Sequence, residues 1–179
     1  MKKFCIIFLL SIIISLTALG FSGISQTAPE PTEGGAYLRI HIRADSNAPQ
    51  AQAVKYTVRD EVVDYLTPLV AEYATKAEAM HGVAQNLDNI ASVATQTLQR
   101  KGFSYTATAE LTVEEFPTRV YAKHTLPAGE YSALIIRLGS GAGDNWWCVV
   151  YPPLCFASTN TDVVYKSKIK EIIDNFSAK

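Results

Sequence analysis

The rhythm of hydrophobic and polar positions changes several times along the chain. Phe4 to Leu19 is apolar apart from Ser11, Ser15 and Thr17, with Lys2 and Lys3 ahead of it. A short basic region before an apolar run predicts an export signal over residues 1–20, with Ala18 and Gly20 small enough for cleavage after Gly20. The run also approaches the ~18 residues that a spanning helix needs, so an uncleaved N-terminal anchor is the second reading. Residues 21–36 lack periodicity and carry Pro29, Pro31, Gly34 and Gly35, the composition of a flexible linker.

From Tyr37 the pattern becomes regular. Leu38, Ile40 and Ile42 alternate with Arg39, His41 and Arg43, the period of a half-buried strand. Asp45-Ser46-Asn47 ends it and predicts a helix start, with Asn47 as cap, Gln50 at the capping-box position and Pro49 in the first turn. Val54, Val58, Val62, Tyr65 and Leu69 line one face of that helix, which Pro68 should end or kink. Thr75 and Glu78 form a second capping box. Met80, Val83, Leu87, Ile90, Ala94 and Leu98 then predict one continuous helix with Gly102 as its stop.

Period two returns at Tyr105, Ala107, Ala109, Leu111 and Val113, and Pro117 closes that strand. Val120 to Thr125 reads as one short strand, and Leu126-Pro127-Ala128-Gly129 as a type II turn. Tyr131–Leu138 and Trp146–Tyr151 are two more strands, joined by a flexible hairpin loop over Gly139–Asn145. Pro152-Pro153 ends the pairing. Asp162–Phe176 is amphipathic, with Tyr165, Ile169, Ile172 and Phe176 on one side. The order predicts an α+β fold: a largely antiparallel sheet with two long helices packed on one face. Residues 37–157 form the single domain, and 158–179 a C-terminal amphipathic helical tail. A doubly wound α/β sheet would need repeated strand–helix alternation, which is absent.

Charge and cysteine content narrow the function. Removing Lys2 and Lys3 from 16 basic side chains leaves 14 against 17 acidic ones, a balance of −3. That argues against nucleic-acid binding and against an anionic membrane surface; the N-terminal segment, if uncleaved, is the only membrane contact expected. Cys5 lies in the export segment. Cys148 and Cys155 are left as a pair, which in an exported chain predicts one disulfide, the other reading being two buried free thiols.

Catalytic and cofactor patterns are weak. The glycine-rich loop Gly139–Gly143 leads into a strand, whereas a nucleotide-binding loop must lead into a helix. His41, His81 and His124 have no ligand-spaced neighbours, so no metal is expected. A Cys148–His124 thiol–imidazole pair would be lost to the disulfide. Asp60-Glu61 and Glu114-Glu115 are sequence neighbours pointing different ways, poor acid–base partners. No cofactor, no small-molecule substrate and no enzymatic activity are expected.

Three stretches together resemble the SpoIIR (stage II sporulation protein R) family. They are Leu38-Arg39-Ile40-His41-Ile42-Arg43-Ala44-Asp45-Ser46-Asn47 with Lys55 and Val58-Arg59-Asp60; Phe116-Pro117-Thr118-Arg119 with Leu126–Tyr131; and Gly143-Asp144-Asn145-Trp146-Trp147-Cys148 through Pro152-Pro153-Leu154-Cys155-Phe156. The resemblance implies a protein secreted from the forespore into the intermembrane space. There it activates the membrane-embedded aspartic protease SpoIIGA, which removes the pro-sequence of sigma-E in the mother cell. A secreted hydrolase and a structural spore-envelope protein are the competing readings.

Candidate partner-binding residues are Arg39, His41, Arg43, Asp45, Asn47, Asn145, Trp146 and Trp147. A functional Arg39–His41–Arg43 row would be exposed and free of internal acid partners; otherwise it is a set of cross-strand ion pairs. Trp146 and Trp147 should face opposite sides of the sheet, one in the core and one outside, the other reading being that a helix or loop covers both faces.

Overall fold

The computed structural model describes residues 33–121, 124–156 and 163–178. The expected export segment and most of the linker lie outside the described residues. A short 3-10 turn, Glu33–Ala36, leads into β1 (Leu38–Arg43). Three helices follow: α1 (Pro49–Val70), α2 (Lys76–Gln85) and α3 (Leu87–Arg100). Then come β2 (Ala107–Phe116), β3 (Arg119–Tyr121), β4 (His124–Leu126), β5 (Gly129–Leu138), β6 (Asn145–Tyr151) and α4 (Val163–Ser177).

The main sheet has the order β2–β5–β1–β6. β2 pairs with β5 and β6 with β1 in antiparallel sense, while β1 and β5 run parallel. This is the expected single-domain α+β fold with a mostly antiparallel, mixed sheet. The parallel pair arises because three helices and β2 intervene between β1 and β5, giving the chain room to return in the same direction. β1 is central and buried on both faces.

On one face, Leu38, Ile40 and Ile42 join Leu134, Ile136 and Leu138 of β5 and Cys148 and Val150 of β6. They pack against Val54, Val58, Val62 and Leu66 of α1 and Ile90, Ala94 and Leu98 of α3. Each fully buried side chain of this kind contributes roughly 1.5–3 kcal/mol. Cys148 and Cys155 are bonded, with their Cα atoms 6.3 Å apart, and tie the segment that follows β6 back to this core. α4 is more than a tail: Ile169 and Ile172 enter the same core, and Phe176 lies 5.2 Å from Tyr37 and 6.4 Å from Tyr151, ring to ring. The expected place of Tyr165 on its apolar side lies outside the described side chains.

Four local expectations need correction. Asn47 does not cap α1. The cap position is Ala48, with no side-chain bond, and Asn47 Oδ1 instead accepts the Asp144 amide at 2.6 Å. Pro49 does occupy the first turn, and α1 stops two residues after Pro68. The continuous second helix is broken at Asn86, whose Nδ2 donates to the Gly82 carbonyl at 2.8 Å while Oδ1 accepts from Tyr65 Oη at 2.8 Å. Thr75 does cap α2, and Glu78 reaches back to the Ala74 amide.

The third correction concerns Val120–Thr125, expected as one strand. Residues there belong to a separate two-stranded hairpin, β3–β4, in which Arg119 faces Leu126 and Tyr121 faces His124. The fourth is the Gly139–Asn145 loop. β5 and β6 are not a hairpin, because β1 lies between them, so the loop crosses over the end of β1.

Candidate functional site

Strand periodicity sends Arg39, His41 and Arg43 to the face opposite the helices. That face is covered. Phe116, Tyr131, Ala133 and Ile135 form a second buried cluster there, with Tyr37 and Trp147 against it. The β3–β4 hairpin reaches it through Tyr121, whose hydroxyl accepts a 2.8 Å bond from Arg39 Nη2. The row is therefore not the exposed, acid-free surface that a direct contact face requires. Arg39 is 0% exposed and His41 1%, and Arg43 has an acid partner.

Arg39 is the unusual member. Its guanidinium is permanently charged, and burying such a group demands acceptors. It has a single neutral one, Tyr121 Oη; Nε and Nη1 have no acceptor among the described residues. Ring faces stand in their place: Phe116 at 4.1 Å, Tyr131 at 4.7 Å and Tyr121 at 5.8 Å from Cζ. Such cation–π contacts contribute about 2 kcal/mol each when desolvated, so three rings offset much of the burial cost.

The nearby acids are committed elsewhere. Glu114 of β2 takes His41 Nδ1 at 2.9 Å on one oxygen and Arg43 Nη2 on the other. Glu110 pairs with Arg137 at 2.6 Å. His41 stacks on Trp147 with ring centroids 3.7 Å apart and meets the edge of Phe116 at 5.9 Å. Burial, opposed by an Asn145 side-chain interaction and reinforced by the fields of Arg43, Arg137 and Arg39, pushes the imidazole down to about 4. Glu114 on Nδ1 acts in the opposite direction. By hydrogen-bond geometry Nε2 itself finds no partner among the described residues.

Asp45 and Asn47 belong to a different assembly, at the end of β1. The crossing loop is bonded to them residue by residue. Ser140 N donates to Asp45 Oδ1 at 2.8 Å, Ser140 Oγ to the Asp45 carbonyl at 2.6 Å, and Gly143 N to the Ala44 carbonyl at 2.8 Å. A Cβ on Gly143 would collide with the Ser46 backbone, so only glycine allows this approach. Lys55 of α1 closes the cluster, bonding the Asp144 carbonyl at 2.9 Å and Gln52 Oε1 at 2.7 Å. Burial lowers its ammonium from the ordinary value, with Asp144 opposing. The loop expected to be flexible is thus fixed, and both motif residues have structural partners.

Trp146 and Trp147 do face opposite sides, but each is half-buried. Trp146 lies against the helix-side core under Arg59 at 5.7 Å; Trp147 lies under Arg119 at 5.8 Å. The division into one core and one exposed tryptophan is not observed, because helices cover one face and the hairpin the other. Asn145 is exposed at the start of β6. The structure thus brings Arg39, His41, Arg43, Asn145 and Trp147 together, and places Trp146 and the Asp45–Asn47 turn elsewhere.

Sequence reasoning missed Glu114, Phe116, Tyr121, Tyr131 and Arg137 as members of this site. The signal for two of them was available: period two puts Glu114 and Phe116 on one face of β2, opposite Val113. Cys148 is oxidised, so it offers His124 no thiolate. Among the described residues no group of three or more His, Cys, Asp or Glu is placed to hold a metal, and no helix is long and apolar enough to cross a membrane. A cleft of about 220 Å³ between the end of α1 and α4 is lined by Glu72, Tyr73, Tyr151, Lys168 and Glu171.

The family model for stage II sporulation protein R matches residues 35–161. A curated relative of that name from Bacillus subtilis (strain 168) is 36% identical over 135 residues, covering 75% of this chain. The chain spans 60% of that relative's length. No solved structure matches.

Proposed function

The chain belongs to the stage II sporulation protein R family, and from that premise we propose that it is an exported intercompartmental signal of endospore formation. In this reading it leaves the forespore, enters the intermembrane space and activates the membrane-embedded aspartic protease SpoIIGA, so that pro-sigma-E is processed in the mother cell. The observation that carries the reading is the family match, which spans β1 through β6. The basic-then-apolar pattern of residues 2–19 supports export.

The domain acts by contact and not by turnover. Of the side chains suited to covalent or acid–base chemistry, Cys148 is bonded to Cys155 and His41 is only 1% exposed. These features support a binding role. The test is to delete the gene and follow pro-sigma-E by immunoblot at the onset of sporulation. Accumulation of the unprocessed form, reversed by restoring the gene, is expected. Normal processing in the deletion strain would overturn the proposal.

A further inference from the structure

Arg39 is a buried cation with no carboxylate bonded to it among the described residues. The two carboxylates that β2 places on the same face are occupied, Glu114 by His41 and Arg43 and Glu110 by Arg137. Tyr121 supplies one neutral oxygen, and aromatic faces supply the rest. A guanidinium recognises a carboxylate best through a two-pronged fork, using two of its nitrogens on one edge. Both available edges, Nε with Nη2 and Nη1 with Nη2, include the nitrogen that Tyr121 holds. Nε and Nη1, the second prong of either fork, have no acceptor among the described residues.

The element that carries Tyr121 is suited to yield. β3 and β4 pair only with each other, over three residue pairs, and add no strand to the main sheet. A two-stranded ribbon of this size is marginal by itself and rests on what it packs against. Its seat is narrow: Tyr121 on Arg39, the buried Leu126, and Arg119 over Trp147. Val120 on its outer side is 67% exposed, an apolar contact for an arriving chain. Arg119, exposed over Trp147, gives the approach a positive charge.

We propose that Arg39 is the receptor for a carboxylate on an acidic peptide segment of a partner protein, engaged when the β3–β4 hairpin lifts and the carboxylate replaces the Tyr121 hydroxyl. The resting phenol is a placeholder. The acid completes the fork, and the displaced hairpin offers Val120 and Tyr121 as new contact surface. The inference stands on the surroundings of Arg39. Joined to the signalling role proposed above, it assigns the activating partner an acidic segment, and in that extension it rests on that reading.

The test uses the full chain in detergent, labelled with ¹⁵N-arginine, so that the Arg39 Nε–H resonance reports directly. The probe is a decapeptide alternating Glu and Ser; controls are its Gln–Ser counterpart and inorganic phosphate. The acidic peptide alone should shift the Arg39 signal. Tyr121→Phe keeps the ring but releases Nη2, and should tighten the response about threefold or more. Arg39→Lys, read from the shifts of the other arginines and Tyr121, keeps the charge without the fork and should weaken binding about tenfold. If the Lys variant does not fold, the Tyr121→Phe comparison decides alone.

Four results would overturn the proposal: an equal response to the neutral peptide, a response to phosphate only, shifts confined to Arg43, Arg119 or Arg137, or no gain from Tyr121→Phe. Because the readout is binding in vitro, it can fail while pro-sigma-E processing still depends on the gene, and the reverse.

Discussion

At the centre of the sheet, β1 is equally buried on its two faces but packed with different materials. Ile40 and Arg39 are neighbours on β1, and both are 0% exposed. Ile40 meets aliphatic side chains of two helices, a packing that any well-shaped set of hydrocarbons could supply. Arg39 meets three aromatic rings, one of which, Tyr121, also lends its hydroxyl, an arrangement that tolerates few substitutes and leaves two nitrogens without an acceptor among the described residues. Burial alone therefore does not separate structure from function here. The separation lies in whether burial has satisfied the group, and it has done so on only one face.

The largest effect should come from the satisfied face. Ile40→Ala removes aliphatic volume from the centre of the core and should destabilise by about 2–5 kcal/mol in chemical denaturation. A loss below about 1 kcal/mol would mean that the helix layer is loosely packed and that the contrast is overstated.

Next comes the disulfide on that same face. Cys148→Ala with Cys155→Ala should cost about 2–3 kcal/mol, the entropy of a closed loop this short. Intact-mass measurement after alkylation of the unreduced denatured protein checks the bond directly. Two alkylated thiols at Cys148 and Cys155 would remove the premise.

The third test moves to the hairpin face and uses pH. With His41 held at about 4 against an ordinary 6.5, the unfolded chain binds more protons between those values. Stability should then be complete above pH 6.5 and decline as pH falls toward 4, by up to about tenfold in the folding constant per pH unit. His41→Gln should flatten that part of the profile. A wild-type profile that is flat or rises on acidification would show that Glu114 keeps the ring protonated, making this face an ion-paired network.

The smallest stability change is expected at Arg39. Arg39→Met keeps the long apolar stem among the rings and removes the uncompensated charge, so folding should change by no more than about 1 kcal/mol in either direction. A cost as large as that of Ile40→Ala would erase the distinction between the faces and make Arg39 a pillar of the core.

The alternation of Leu38–Arg43 announces a strand, and the spacing of Val54, Val58 and Val62 announces a helix, because each depends only on near neighbours. What escaped the sequence depends on residues far apart. Asn47 looks like a cap until the Asp144 amide, 97 positions away, takes its oxygen. Asn86 looks like an ordinary helical residue until Tyr65 and Gly82 hold it. The row Arg39–His41–Arg43 reads as a wet face because the aromatic cover arrives from β2, β5, β6 and a hairpin whose two strands are three residues each. The cysteine pair was legible since its two members are the only ones left to join.

β1 has a consequence in time as well as in space. It is the first strand among the described residues, yet its neighbours are Ser132–Arg137 on one side and Asn145–Tyr151 on the other. A chain that emerges N-terminus first must hold this segment, with three aliphatic residues on one side and three basic ones on the other, without a partner until some 90 further residues have appeared. Such distant pairing makes assembly slow and late. The sheet can close around β1 only once β5 and β6 have been made, so a shortened product ending before β5 would carry the β1 motif without the strands that bury it.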